Sequence, residues 1–124
     1  MRLAVIGSTN GTDLVPIVDA INSGELLASV EVVISNNELS GILKKAGSYG
    51  IEGHFICHKN KKRDVFDLEM SQILESKKID LILLIGFMRI LSSGFVERWR
   101  GKIINVHPSL LPKYAGGMNN SVHE

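Results

Sequence analysis

An asparagine and a histidine two residues apart, Asn105 and His107, are the pair in this chain best suited to chemistry at a carbonyl carbon. They close an apolar run at residues 102–106 whose length and β-branched content predict a strand, and alternation along a strand sends both side chains to one face. Pro108 has no amide hydrogen to give a sheet and stops the strand there, so both groups stand at its carboxyl end. A side-chain amide can donate a hydrogen bond to a developing oxyanion, and an imidazole can move a proton near neutral pH. A histidine in a strand also serves as plain structure, and residue types alone leave the two readings level.

Two further segments could form a site. Residues 7–13, Gly-Ser-Thr-Asn-Gly-Thr-Asp, follow an apolar run and open a helical pattern. Backbone amides at a helix amino terminus, exposed by glycines that permit close approach, can seat a phosphate. The segment lacks the Lys of a G-x-x-x-x-G-K-[ST] loop and the spacing of G-x-G-x-x-G, which argues against nucleoside triphosphates and dinucleotides. A plain turn between strand and helix would use the same residue types. The second segment is Gly86, Phe87, Met88, Arg89, Ile90 and Leu91, after the most apolar run of the chain. Open α/β sheets bind ligands outside the carboxyl ends of their strands, which is where this segment falls, although its apolar residues also suit a core.

The elements that must position these residues follow from periodicity. Apolar runs at 3–7, 30–35, 54–57, 81–86 and 102–106 suit strands buried on both faces. Helical patterns lie between them. Residues 13–23 carry Leu14, Val15, Ile17, Val18 and Ile21 on one side, and if Asp13 is the N-cap, Pro16 falls in the first turn, where its missing donor costs nothing. A weaker helix is predicted over 38–48, with Ile42, Leu43 and Ala46 inward and Gly41 and Gly47 against it. A third is predicted over 64–77, with Asp64 as N-cap, Asp67 at the third position, and an apolar stripe of Val65, Phe66, Leu68, Ile73 and Leu74. A short one covers 92–99. Strand and helix in alternation predict an α/β protein with a doubly wound, mostly parallel sheet.

Bulk properties narrow the classes further. The 124 residues, 44% hydrophobic and 22% charged, fit one domain spanning 1–124. Fourteen basic against thirteen acidic side chains, a formal charge of +1, offer nothing to a nucleic acid. The basic cluster Lys59, Lys61, Lys62 and Arg63 is either a solvated loop or an anion contact. A single cysteine, Cys57, precludes an intrachain disulfide and suits a reducing cytoplasm. It is expected to be a small buried hydrophobe. No signal peptide or membrane-spanning run is present, and the four histidines and Cys57 lack metal-ligand spacing, so neither a membrane nor a metal is expected.

The run Asn105-Val106-His107-Pro108-Ser109-Leu110-Leu111-Pro112-Lys113-Tyr114 resembles the signature of the folate-dependent formyltransferases. Gly86-Phe87-Met88-Arg89-Ile90-Leu91-Ser92 upstream, with Arg63-Asp64-Val65-Phe66-Asp67 before it, is similar to the glycinamide ribonucleotide branch, in the right order and over nearly the whole chain. Methionyl-tRNA formyltransferases continue differently after a similar Leu-Leu-Pro, and formyltetrahydrofolate deformylases carry a His-Ser-Phe-Leu-Pro run. Pro108-Ser109 and Lys113-Tyr114 favour the purine enzyme, phosphoribosylglycinamide formyltransferase, with a Rossmann-type fold.

The resemblance implies roles. Gly11, Thr12 and Asp13 would seat the phosphate of glycinamide ribonucleotide, with Asp13 where Asn is commoner in the family. Asp13 is expected to turn its carboxylate away to cap the helix and offer only its amide. Arg63, Met88, Arg89, Ile90, Leu91 and Asn105 would line the site of 10-formyltetrahydrofolate, the co-substrate. Asn105 would hold the formyl oxygen and His107 would act as general acid. The family places a catalytic Asp and further substrate contacts beyond the position of Glu124, and Ser121-x-x-Glu124 has the form of a capping box that opens a helix. The chain is therefore expected to be an incomplete amino-terminal portion, inactive or nearly so, since losing a charge partner costs on the order of 10⁴-fold in rate. An uncovered sheet edge is expected to promote self-association, as a homodimer or by edge-strand pairing. The alternatives are a non-catalytic remnant that binds folate or a sugar phosphate, and a formyltransferase relative acting on another amine.

Overall fold

A computed structural model describes residues 1–88 and 91–106. Five strands and four helices alternate: β1 (Arg2–Ile6), α1 (Leu14–Ser23), β2 (Ser29–Ser35), α2 (Gly41–Ser48), β3 (Gly53–Phe55), α3 (Arg63–Ser76), β4 (Leu81–Ile85), α4 (Ser93–Arg98) and β5 (Ile103–Val106). The strands form one parallel sheet in the order β3-β2-β1-β4-β5. The chain starts in the middle, winds outward to β3, then crosses back to lay β4 and β5 on the other side. This is the doubly wound arrangement that the alternation predicts.

Two apolar layers sandwich the sheet. Leu3, Val5, Val33, Leu83 and Ile85 meet Leu14 and Val18 of α1 and Ile42 and Ala46 of α2 on one face. Ala4, Ile6, Val32, Ile34 and Ile82 meet Phe66, Met70 and Leu74 of α3 and Phe95 and Trp99 around α4 on the other. Strict alternation fails at one place. Leu3 pairs with Val30 but Ala4 with Val32, so Glu31 is skipped as in a bulge. That extra residue puts Val30 and Val32 on opposite faces and leaves Glu31 free to meet Arg2 at 3.4 Å.

Helix ends depart from expectation in informative ways. α1 begins one residue after Asp13, with Pro16 in its first turn as predicted, but the Asp13 side chain makes no capping bond. α2 starts at Gly41 rather than 38, because Asn37 first builds a turn: its Oδ1 accepts the Leu39 amide at 3.2 Å and its carbonyl accepts the Ser40 amide at 3.1 Å. Ser40 is the N-cap residue, yet its hydroxyl donates to Ser35 Oγ at 3.0 Å instead of capping. In α3 the N-cap is Lys62, not Asp64. Asp67 is buried and accepts the Ser92 amide at 2.5 Å, a tertiary bond that ties α3 to the start of α4. The predicted stripe is also corrected: Val65 and Leu68 are about half exposed, and the buried face runs through Phe66, Asp67, Met70, Ser71 and Leu74. Polar Ser71 belongs there because its hydroxyl accepts the Trp99 indole N–H at 3.1 Å. α4 is capped as expected, Ser92 Oγ accepting from the Phe95 amide at 3.2 Å. No helix of the described residues is long and apolar enough to cross a membrane.

Candidate active site at the carboxyl edge of the sheet

All five strands point their carboxyl ends the same way, so the loops after β1, β2, β3 and β4 gather on one edge with the end of β5. Ser8 ties this edge together. Its amide donates to the Gly86 carbonyl at 3.2 Å, its hydroxyl donates to Asn36 Oδ1 at 2.6 Å and accepts the Met88 amide at 3.0 Å. Asn36 Nδ2 lies 3.5 Å from His58 Nδ1. These contacts floor an open crevice of about 640 Å³ with Ser8, Asn36, Cys57, His58 and Met88 in its wall. Cys57 is half-exposed there rather than buried as expected.

The shape of the glycine-rich turn is fixed by Gly11. Gly11 has φ +67°, and a Cβ on it would sit 2.4 Å from Ile42 Cγ1, so both conformation and space demand glycine. Its carbonyl accepts the Leu14 amide at 2.9 Å and starts α1. The amides of Gly11, Thr12 and Asp13 donate to no group among the described residues. Three N–H groups without a partner among the described residues, set before a helix, are an arrangement that an anion could use. Asp13 is the discordant member. Partial burial pushes its carboxyl pKa up, and no cap bond offsets the charge.

A raised carboxyl pKa means that the fold tolerates the neutral acid better than the carboxylate. Stability from this group is full below the pKa of the unfolded chain and declines as pH rises through the folded value. Asp13→Asn is therefore expected to stabilise the fold at neutral pH, the gain vanishing in acid. It is also expected to tighten inorganic phosphate binding by roughly threefold to tenfold, because a repelling charge beside the anion is removed. Titration of phosphate into both proteins at pH 7, followed by the Thr12 amide shift, measures this; equal or weaker binding by the variant would contradict it.

The remaining site residues are partly accounted for. Arg63, the first residue of α3, is exposed, has no partner among the described residues, and lines a shallow concavity of about 770 Å³ with Leu91, Val96 and Arg100. Met88 faces the neighbouring Ser8 crevice instead and is 74% exposed. Asn105 pairs with Leu84 one residue before the end of β5. Its neighbour Ile103 belongs to the α3–α4 layer, so Asn105 points to that face by alternation. It is half-buried, and its side-chain amide has no partner among the described residues. Arg89, Ile90 and His107 lie outside the described residues. No three His, Cys, Asp or Glu side chains gather as a metal site among the described residues.

Fold and site together define an open parallel α/β protein with amides after its first strand that have no partner among the described residues, and a polar side chain near the end of β5. The chain belongs to the formyl transferase family, whose pattern it matches over residues 1–123. It is 43% identical over 118 residues to the trifunctional purine biosynthetic protein adenosine-3 of Drosophila melanogaster, covering 93% of this chain and 9% of that protein. It is 41% identical over 116 residues to phosphoribosylglycinamide formyltransferase of Haemophilus influenzae, covering 93% and 55%. The structure of phosphoribosylglycinamide formyltransferase from Coxiella burnetii superposes with a TM-score of 0.83 at 39% identity, over 92% of this chain and 54% of that one. The chain thus spans about half the length of the single-function relatives it matches.

Proposed function

We propose that this chain forms part of the active site of a phosphoribosylglycinamide formyltransferase, which moves a formyl group from 10-formyltetrahydrofolate to the amine of glycinamide ribonucleotide. One observation supports the reading most: polar groups that could serve two substrates stand without a partner among the described residues at one edge of the sheet, on either side of β4. The Gly11, Thr12 and Asp13 amides flank it from β1. The Asn105 amide flanks it from β5. Arg63 and Leu91 meet in a concavity suited to an anionic, partly apolar molecule such as a folate.

The chemistry assigned to these residues is direct transfer. The substrate amine attacks the formyl carbon, and negative charge grows on the formyl oxygen. Asn105 donates an N–H to that oxygen, and His107 in its protonated form acts as general acid. The bond from the formyl carbon to the folate nitrogen breaks as that nitrogen takes up a proton, and the amine loses one. Atoms balance without a covalent enzyme intermediate.

Calorimetry tests the reading on the 124-residue chain. Glycinamide ribonucleotide and a non-reactive folate analogue, each titrated alone, are expected to bind at separate sites. Binding of the folate alone would leave a folate-binding module, and binding of neither would end the proposal.

A further inference from the structure

We infer that Lys45, on α2, is a positioning residue for the anion seat, aiming the Gly11 amide by holding the carbonyl of the residue before it. Lys45 Nζ donates to the Asn10 carbonyl at 2.8 Å across 35 positions of sequence. The Asn10 carbonyl and the Gly11 N–H belong to one planar trans peptide and point in opposite directions. Anchoring the oxygen toward α2 therefore turns the N–H away from α2, and that N–H donates to nothing among the described residues. The inference rests on the reading of Gly11, Thr12 and Asp13 as a phosphate seat.

The rest of α2 supports the same peptide. The Ile42 amide donates to the Thr9 carbonyl at 3.0 Å, one residue earlier. Ile42 packs on Gly11 so closely that any Cβ there would collide with it. Gly41 lies against Asn10, where a Cβ would come within 2.9 Å of Asn10 Oδ1. Thr9, Asn10 and Gly11 are thus each braced by α2, by a backbone bond, an ammonium bond and apolar contact respectively. The contrast with Lys44 is instructive, since that neighbour is exposed and touches no charged or polar group among the described residues. Lys45 is half-buried and crosses to another loop. A charged donor makes a stronger bond to a carbonyl than a neutral one, which suits a loop that must keep its amides aimed while empty.

The test compares Lys45→Met, which keeps the apolar stem and removes the ammonium, with Lys45→Arg, which keeps a cationic donor. Inorganic phosphate, glycinamide ribonucleotide and a folate analogue are titrated into each 124-residue protein, and ¹⁵N relaxation of the Gly11 and Thr12 amides is recorded without ligand. Lys45→Met is expected to weaken phosphate and ribonucleotide binding about fivefold to tenfold and to leave the folate analogue within about twofold. It should also add exchange broadening at Gly11, and Lys45→Arg should restore both. Native-like relaxation at Gly11 in Lys45→Met, or an equal loss of folate analogue binding, would overturn the inference. If the native chain binds phosphate but not the ribonucleotide, the substrate reading fails while the phosphate and relaxation results still decide the role of Lys45.

Discussion

In a form of the protein that turns over, Asn105→Ala is expected to lower kcat by roughly 10²–10³-fold, the usual cost of one donor to a developing oxyanion. The strand that carries it should survive the change. Ile103 is buried beside the α3–α4 layer and Asn105 pairs with Leu84 through backbone, not side chain. KM for the ribonucleotide should move by less than about threefold, because the lost bond strengthens only as charge builds on the formyl oxygen. His107→Ala should cost as much or more. The double substitution should cost far less than the product of the two, since donor and acid act as a unit in one transfer step. Steady-state kinetics at saturating folate measure all three, and a kcat for Asn105→Ala within a few-fold of native would remove Asn105 from the chemistry.

The second large effect concerns stability. Phe66→Ala is expected to cost about 3–5 kcal/mol, from the loss of a fully buried aromatic ring and the cavity it leaves. Phe66 sits in the first turns of α3 against a layer that includes Ile34, Ile56, Met70 and Phe95, all buried, so little can collapse inward. A domain of this size has about twice that margin in total, so the variant should be partly unfolded near 37 °C. Leu68→Ala, two residues on and half exposed, is the control and should cost well under 1 kcal/mol. Urea titrations of both, with the slope unchanged, would establish the contrast; comparable losses would mean that α3 is not seated as described.

That contrast marks where local sequence stops being informative. The helical period identified α3, but Val65 and Leu68 look as suitable for burial as Phe66 and Met70. Only the approach of α4, through Asp67 to Ser92 and Trp99 to Ser71, selects which side faces in. Polar side chains drawn into long-range bonds are invisible to a pattern of apolar spacing. Ser8, Asn36 and His58 form a cluster that is invisible in sequence for the same reason, being brought together across 28 and 22 positions. The available signal was weak: a serine inside the first glycine-rich turn and a pair of asparagines directly after β2. Continuous apolar runs did locate all five strands within two residues at either end, because a strand between two helical layers must be apolar throughout. It could not foresee the skipped Glu31. The free amides at residues 11–13 were legible, since glycine before a helix start advertises them, whereas the bracing by α2 was not.

The placement of β1 at the centre of the sheet has a consequence for biosynthesis. Of the five strands this one leaves the ribosome first, yet the partner for its second edge, β4, begins about 80 residues later. At ordinary elongation rates that interval is roughly 4–16 s. Through that time an apolar segment with an open hydrogen-bonding edge is exposed to solvent, and native structure cannot close cooperatively around it. Nascent chains stalled before residue 81 should therefore engage holdase chaperones, and release should follow once β4 emerges.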